Sequence, residues 1–122
     1  MRPFVINGEL WGVARVPAGD PRLIDRTDTA RLAVTDASSR MVYVRSDLTP
    51  PLLDRVMLHE VAHAITVSWG LLPDFGKMVA AGDRVSAEEW SAQLVENHAM
   101  EAVQAARRAL GRPICVRGLC SD

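Results

Sequence analysis

Two histidines and one glutamate have the residue types and the spacing needed to hold a metal ion and activate water. They are His59, Glu60 and His63, in the pattern H-E-x-x-H within an apolar run. On a helix, residues four apart lie one above the other on the same face, so both imidazoles would point the same way. Neutral imidazole nitrogens suit Zn²⁺, and the neighbouring carboxylate could take a proton from water on that ion. The spacing therefore predicts that His59 and His63 are metal ligands and that Glu60 is the catalytic base.

The surrounding sequence predicts that this motif lies on a buried helix. Thr49-Pro50-Pro51 suits a helix start and Gly70 suits a stop, so we expect the helix over residues 51–69. Apolar side chains occur on nearly all of its sides, which is typical of a helix inside a domain. Unpaired polar groups there would be costly, and a metal ion in an open cleft would remove that cost. The alternative is that backbone or carboxylate partners satisfy the histidines.

A catalytic zinc usually has three protein ligands, so a third residue is needed. Thr66 and Trp69 stand where a three-histidine site would have glycine and histidine, which argues against that arrangement. The remaining option is a carboxylate from the second long helix. Helical phase places Glu88 close to the apolar stripe of that helix, and we expect Glu88 to be the third ligand. Glu89 is the main alternative, although Ser86 and Glu89 have the spacing of a capping box.

His98 lies on the inner side of the same predicted helix. It could stabilise a transition-state oxyanion or contact a metal ligand, but a half-buried histidine with ordinary hydrogen-bond partners is the more common case. Trp69 and Trp90 are expected in the core rather than at a substrate surface.

The remaining segments predict a small sheet followed by two long helices. Residues 4–6 and 9–16 form a hairpin around the turn pair Asn7-Gly8. Residues 31–35 and 40–45 form a second hairpin. Residues 71–84 read as a loop, and the second long helix runs from about 86 to 110. The expected fold class is α+β, with a small antiparallel or mixed β-sheet packed on two long helices.

Length and composition indicate one ordinary globular domain over residues 1–122, with a C-terminal tail of about 111–122 that could be flexible. The chain is 48% hydrophobic and 24% charged, with a net charge of −1, which offers no basic surface to nucleic acid or anionic lipid. No apolar run is long enough to span a bilayer, and the start lacks a signal-peptide pattern, so a cytoplasmic location is expected. Cys115 and Cys120 could close a loop or bind metal, although two reduced thiols are the simpler interpretation.

Taken in order, these segments resemble the small phage and prophage zincins, which are minimal gluzincin metallopeptidase-like domains distantly related to the ImmA/IrrE peptidases. The resemblance rests on the strand at 32–36, the strand at 41–45, the segment Leu48-Thr49-Pro50-Pro51, the H-E-x-x-H helix and a second helix that opens with Glu88-Glu89. It covers about residues 31–96. The H-E-x-x-H motif is specific, whereas the other segments are informative only in this order.

The resemblance implies zinc on His59, His63 and one glutamate of the pair at 88 and 89, with Glu60 as general base. It also implies that the strand at 41–45 is the sheet edge beside the motif helix, where an extended peptide could add as a strand. Ala92 and Gln93 depart from the family pattern, since gluzincins often carry an acidic residue at this turn. That departure leaves the orientation of His59 unexplained.

We therefore expect a zinc-dependent metallopeptidase of the gluzincin type that acts on a peptide or protein substrate. The alternative is a catalytically silent, zinc-stabilised binding module of phage or prophage origin. A third possibility is a metal-free domain in which the motif occurs by chance. The sequence names neither a substrate nor an oligomeric state.

Overall fold

A computed structural model describes residues 1–25, 27–80, 82, 84–116 and 119–120. Side chains are described for these residues except 72, 75, 78–79, 84–89, 91–92, 95–96, 115–116 and 119–120. In chain order the elements are β1 (Phe4–Ile6), β2 (Glu9–Val16), a short 3₁₀ helix (Pro21–Leu23), β3 (Ala33–Asp36), β4 (Met41–Arg45), α1 (Leu52–Ser68), α2 (Leu72–Ala80), α3 (Arg84–Leu110), β5 (Cys115–Val116) and β6 (Leu119–Cys120).

Four strands form one mixed sheet in the order β1-β2-β4-β3. β1 and β2 are antiparallel, β2 and β4 are parallel, and β3 and β4 are antiparallel. The first hairpin turns at Asn7 and Gly8, whose φ angles are 48° and 75°. Positive φ at both central residues is the requirement of a type I′ turn, and Asn-Gly meets it best. Both predicted hairpins and the α+β fold class are confirmed.

The predicted edge strand is wrong. β4 (Met41–Arg45) lies inside the sheet, between β2 and β3, and β3 (Ala33–Asp36) is the edge strand. Two consecutive hairpins do not by themselves indicate how they pair with each other. The parallel pairing of β2 with β4 places β4 inside the sheet. β3, rather than β4, is therefore the edge strand that packs against α1.

The motif helix forms as predicted, with α1 spanning 17 residues. Its start differs in detail, because Pro51 is the N-cap and makes no side-chain capping bond, while the Thr49 carbonyl accepts from the Leu53 N–H at 3.0 Å. The long second helix also forms, as α3. Both helices pack on each other, α1 contacts β3 and β1, and α3 contacts β1.

The loop predicted over residues 71–84 is wrong, since α2 occupies Leu72–Ala80. Pro73 is tolerated there because it falls in the first helical turn, where its missing N–H would have no helical partner. Gly76 weakens helix propensity by about 1 kcal/mol, and the packing of α2 on α3 overrides that preference.

The core lies between the sheet and the two long helices. Its fully buried aromatic side chains, Phe4 and Trp11, come from the first hairpin, and the buried alanines Ala105, Ala106 and Ala109 come from α3. A buried hydrogen bond ties the sheet to α1, because the Trp11 indole N–H donates to the Ser68 hydroxyl at 2.8 Å. The core therefore fixes the C-terminal end of α1 against β2.

The tail after α3 contains a two-stranded antiparallel sheet of β5 and β6, in which Cys115 and Cys120 are register partners. The side chains of both cysteines lie outside the described part of the chain, so the thiol prediction stays a prediction. None of the helices in the described residues is both long and apolar enough to cross a membrane.

Candidate metal centre

The two motif histidines lie next to each other on α1, as their spacing predicts. The His59 Nε2 and His63 Nε2 atoms are 3.1 Å apart, and the ring centroids are 4.9 Å apart with an interplanar angle of 69°. Two nitrogens bound at about 2.0–2.1 Å to a tetrahedral zinc ion would be about 3.3 Å apart. The two imidazoles therefore fit a single metal ion with little rearrangement.

Both histidines lie on the solvent-exposed side of α1, so the prediction that they are buried is wrong. Leu52 and Trp69, which made this side look apolar in the sequence, are themselves exposed, at 43% and 42% of their surface. Leu52 and Trp69 are therefore surface residues, and the helix has one fully buried face rather than a buried circumference. Exposure also means that the histidines can reach an ion in solution and do not need one to offset burial.

Glu60 is the one motif residue that is buried, with 6% of its surface exposed. It lies about 100° around the helix from His59, on the side that packs against β3. The Thr35 hydroxyl on β3 donates to Glu60 Oε2 at 2.5 Å and also lies 3.3 Å from the Glu60 backbone carbonyl oxygen. This contact fixes the Glu60 carboxylate between α1 and the sheet edge.

The predicted third ligand, Glu88, and its rival Glu89 lie in α3, but their side chains lie outside the described residues. Among the side chains that are described, no group of three or more His, Cys, Asp and Glu residues is close enough to hold a metal ion. The side chains of Glu88, Glu89 and Glu96 are not among those described. The predicted ligand set therefore stays a prediction.

His98 is part of a small polar cluster where α3 meets the end of α1. His98 Nδ1 lies 3.2 Å from Glu101 Oε1, and the Trp69 indole N–H donates to the same oxygen at 3.0 Å. The rings of His98 and Trp69 are 5.1 Å apart. His98 is thus a half-buried histidine with ordinary partners, which is one of the two cases expected for it. The prediction that Trp69 lies in the core is wrong. Trp69 is a surface residue, and its indole covers one side of this cluster.

A buried ion pair that the sequence pattern did not predict lies at the other end of α1. Asp54 is fully buried, and the Arg112 guanidinium donates to its two carboxylate oxygens at 2.6 and 2.7 Å. Hydrogen bonding to Asp54 raises the pKa of Arg112 above its ordinary value. The only sequence signal was an acidic residue in the first helical turn, which is common on exposed surfaces.

Comparisons of the chain with protein-family models, with curated proteins and with solved structures returned no significant match. The geometry of the site therefore carries the functional interpretation.

Proposed function

We propose that this chain is a zinc-dependent metallopeptidase of the gluzincin type, acting in the cytoplasm on a peptide or protein substrate, as its resemblance to the small phage and prophage zincins implies. The observation that carries the proposal is the pairing of His59 and His63, whose Nε2 atoms face each other at 3.1 Å on an exposed surface. Two imidazoles held this way form two corners of a tetrahedral site. The same contact is short enough for a hydrogen bond between the two rings when one Nε2 carries a proton, so metal binding is the property that distinguishes the two cases.

A zinc ion in this position would supply a Lewis acid and lower the pKa of water. Glu60 would then act as the general base that removes a proton from the attacking water and returns it to the leaving amine. Two observations support this role: Glu60 follows His59 in the sequence, and the hydroxyl of Thr35 holds its carboxylate in place. The base therefore loses little conformational freedom when a substrate binds.

Helical phase supports Glu88 rather than Glu89 as the third ligand. The buried face of α3 is marked by Ala105, Ala106 and Ala109. At 100° per residue, position 88 falls about 50° from the centre of that face, and position 89 falls about 150° from it. Since α3 also packs against α1, we assign the third ligand to Glu88.

The edge strand β3 supports a peptide as the substrate. Within the described residues β3 pairs with β4 alone, so its other edge can accept an extended peptide by strand addition. Thr35, which holds Glu60, lies on this strand. A peptide bound along β3 would thus lie beside the general base.

One observation favours the alternative, a zinc-stabilised binding module without activity. Glu60 is buried and already accepts a short hydrogen bond from Thr35. A carboxylate used in this way could serve mainly to join α1 to the sheet. The two functions differ in a single property, which is whether the zinc-loaded protein hydrolyses peptide bonds.

The test is cleavage of a proteome-derived peptide library by the zinc-loaded protein, read out as new peptide termini by mass spectrometry. We expect wild type to generate a consistent set of termini. Glu60→Gln should keep its zinc and lose cleavage by at least about 100-fold, because it cannot accept the proton. A matched control is Glu9→Gln, which changes a glutamate paired with Arg40 in the sheet and should cleave like wild type.

Equal rates for wild type and Glu60→Gln would show that Glu60 is not the base. Stoichiometric zinc in wild type with no cleavage at any substrate concentration would instead support the binding module.

A further inference from the structure

A cavity of about 670 Å³ lies at the C-terminal end of α3, and four arginines line it. Arg107 and Arg108 come from the last turn of α3, Arg112 follows the helix, and Arg2 comes from the N-terminal segment. Among the residues that the structure describes, none that lines this arginine cavity is acidic. The cavity does not include the motif histidines, so it is separate from the candidate metal centre.

The N-terminal segment is held against α3 by its backbone. The Arg2 N–H donates to the Ala109 carbonyl oxygen at 3.0 Å, next to the end of the helix. Gly111 ends the helix with a φ of 73°, and a Cβ atom added there would lie 3.4 Å from Arg2 Nε. That distance is an ordinary van der Waals contact, so the Arg2 side chain lies directly over the helix end and forms part of the wall of the cavity.

The positive charges of the arginine cavity are only partly balanced. Arg112 has Asp54 as its partner at 2.6 Å. For the other three arginines, no ion pair is found among the side chains that the structure describes. Arg107 is half-buried, whereas Arg2 and Arg108 are exposed. Three guanidinium groups without a described carboxylate therefore share one concave surface.

A helix terminus explains part of this cluster but not all of it. The carbonyl end of a helix attracts cations, which accounts for arginines in the last turn of α3. It does not account for Arg2, which a different segment contributes, or for the recess that the four arginines enclose. Like charges that converge on a cavity repel each other, and an anion bound between them would remove that repulsion.

We propose that the arginine cavity binds a small ligand that carries two or more phosphate groups. A guanidinium group presents its N–H donors in a planar fork that matches the oxygens of a phosphate. Three guanidinium groups on one surface offer more N–H donors than a single carboxylate can accept from. Adjacent phosphates can accept from all three. The volume falls in the range of small-molecule sites, about 300–1,000 Å³.

The test uses inorganic tripolyphosphate as the probe and isothermal titration calorimetry on the full chain. We expect saturable binding at one site per chain, weakened by added salt. Arg107→Gln and Arg108→Gln should each weaken binding by about tenfold, since each removes a charge-assisted hydrogen bond. Arg22→Gln is the matched control, because it removes the same charge at an arginine that is paired with Asp20, and its affinity should stay within about twofold.

Folding of each variant is checked by its thermal melt. Arg2 and Arg108 are exposed, so Arg2→Gln and Arg108→Gln decide the result if Arg107→Gln does not fold. No saturable binding, or an equal loss in Arg22→Gln, would overturn the proposal. Equal affinity for citrate would show that the cavity recognises charge rather than phosphate, and much tighter binding of a short single-stranded oligonucleotide would replace the small ligand with nucleic acid.

Discussion

Asp54 and the His59–His63 pair lie on opposite sides of α1, about 160° apart around the helix axis. Asp54 is fully buried, and Arg112 donates to both of its carboxylate oxygens. The two histidines are exposed, and their Nε2 atoms face each other at 3.1 Å. Both are close polar contacts on the same helix, but only the first is buried in the fold.

The difference shows how a structural contact and a binding site can be told apart. A buried carboxylate without a partner would be costly, so the fold supplies a guanidinium group and the contact is complete. Exposed imidazoles could each bind water at little cost, so their convergence stabilises the fold very little. The first contact is thus expected to matter for stability, and the second for what the protein binds.

Loss of the buried ion pair should give the largest change in stability. Arg112→Ala removes the guanidinium group from a carboxylate that is 0% exposed, and we expect the free energy of unfolding to fall by about 2–4 kcal/mol. The value lies below that of a fully buried pair because Arg112 is 36% exposed. Chemical denaturation measures it, and Arg45→Ala is the control. Arg45 pairs with Asp47 at the surface, so its loss should cost about 0–1 kcal/mol. Equal losses in the two variants would contradict the distinction.

Thr35 offers a second test, because its hydroxyl joins β3 to Glu60, the predicted base on α1. Thr35→Val keeps the shape of the side chain but removes the hydroxyl that donates to buried Glu60. We expect a loss of about 1–3 kcal/mol of unfolding free energy in urea denaturation. Thr66→Val is the control, because the Thr66 hydroxyl donates to a carbonyl of its own helix, and its effect should stay within about 0.5 kcal/mol. If both variants are equally stable, the Thr35 contact does not hold Glu60.

The smallest effect is expected from two half-buried carboxylates that belong to neither region, Asp20 before the short 3₁₀ helix and Asp36 at the end of β3. Hydrogen bonding from Arg22 lowers the pKa of Asp20 from 3.8 to about 2, and bonds from Ser38 and Ser39 lower the pKa of Asp36. A carboxyl whose pKa is lower in the folded state stabilises the fold above its unfolded pKa, and this stability is lost as the pH falls through the folded pKa. Stability should therefore decline modestly between pH 4 and pH 2. Denaturation at several pH values measures the decline, which should be smaller in Asp20→Asn; a slope unchanged in this variant would contradict the assignment.

Local sequence patterns predicted the elements that depend on local chemistry. Asn7-Gly8 predicted the first hairpin, and the motif helix and α3 form close to their expected bounds. The pairing of His59 with His63 follows from helical spacing alone. These features need only neighbours in sequence, so they could be read without the fold.

The features that the sequence did not predict depend on residues far apart in the chain. Asp54 and Arg112 are 58 positions apart, and nothing local links them. The place of β4 inside the sheet depends on its parallel pairing with β2. The prediction that α1 is buried on all sides is wrong, because periodicity shows which faces of a helix are apolar. It does not show which of those faces another element covers.

The central claim is that His59 and His63 are ligands of one zinc ion, and zinc titration of the metal-free protein tests it most directly. Binding is followed by calorimetry and by elemental analysis after dialysis. Wild type should bind one zinc per chain, whereas His59→Ala and His63→Ala should each lose stoichiometric zinc while melting, in chelator, at the same temperature as wild type. Absence of stoichiometric zinc in the wild-type protein, or its retention in both variants, would contradict the account.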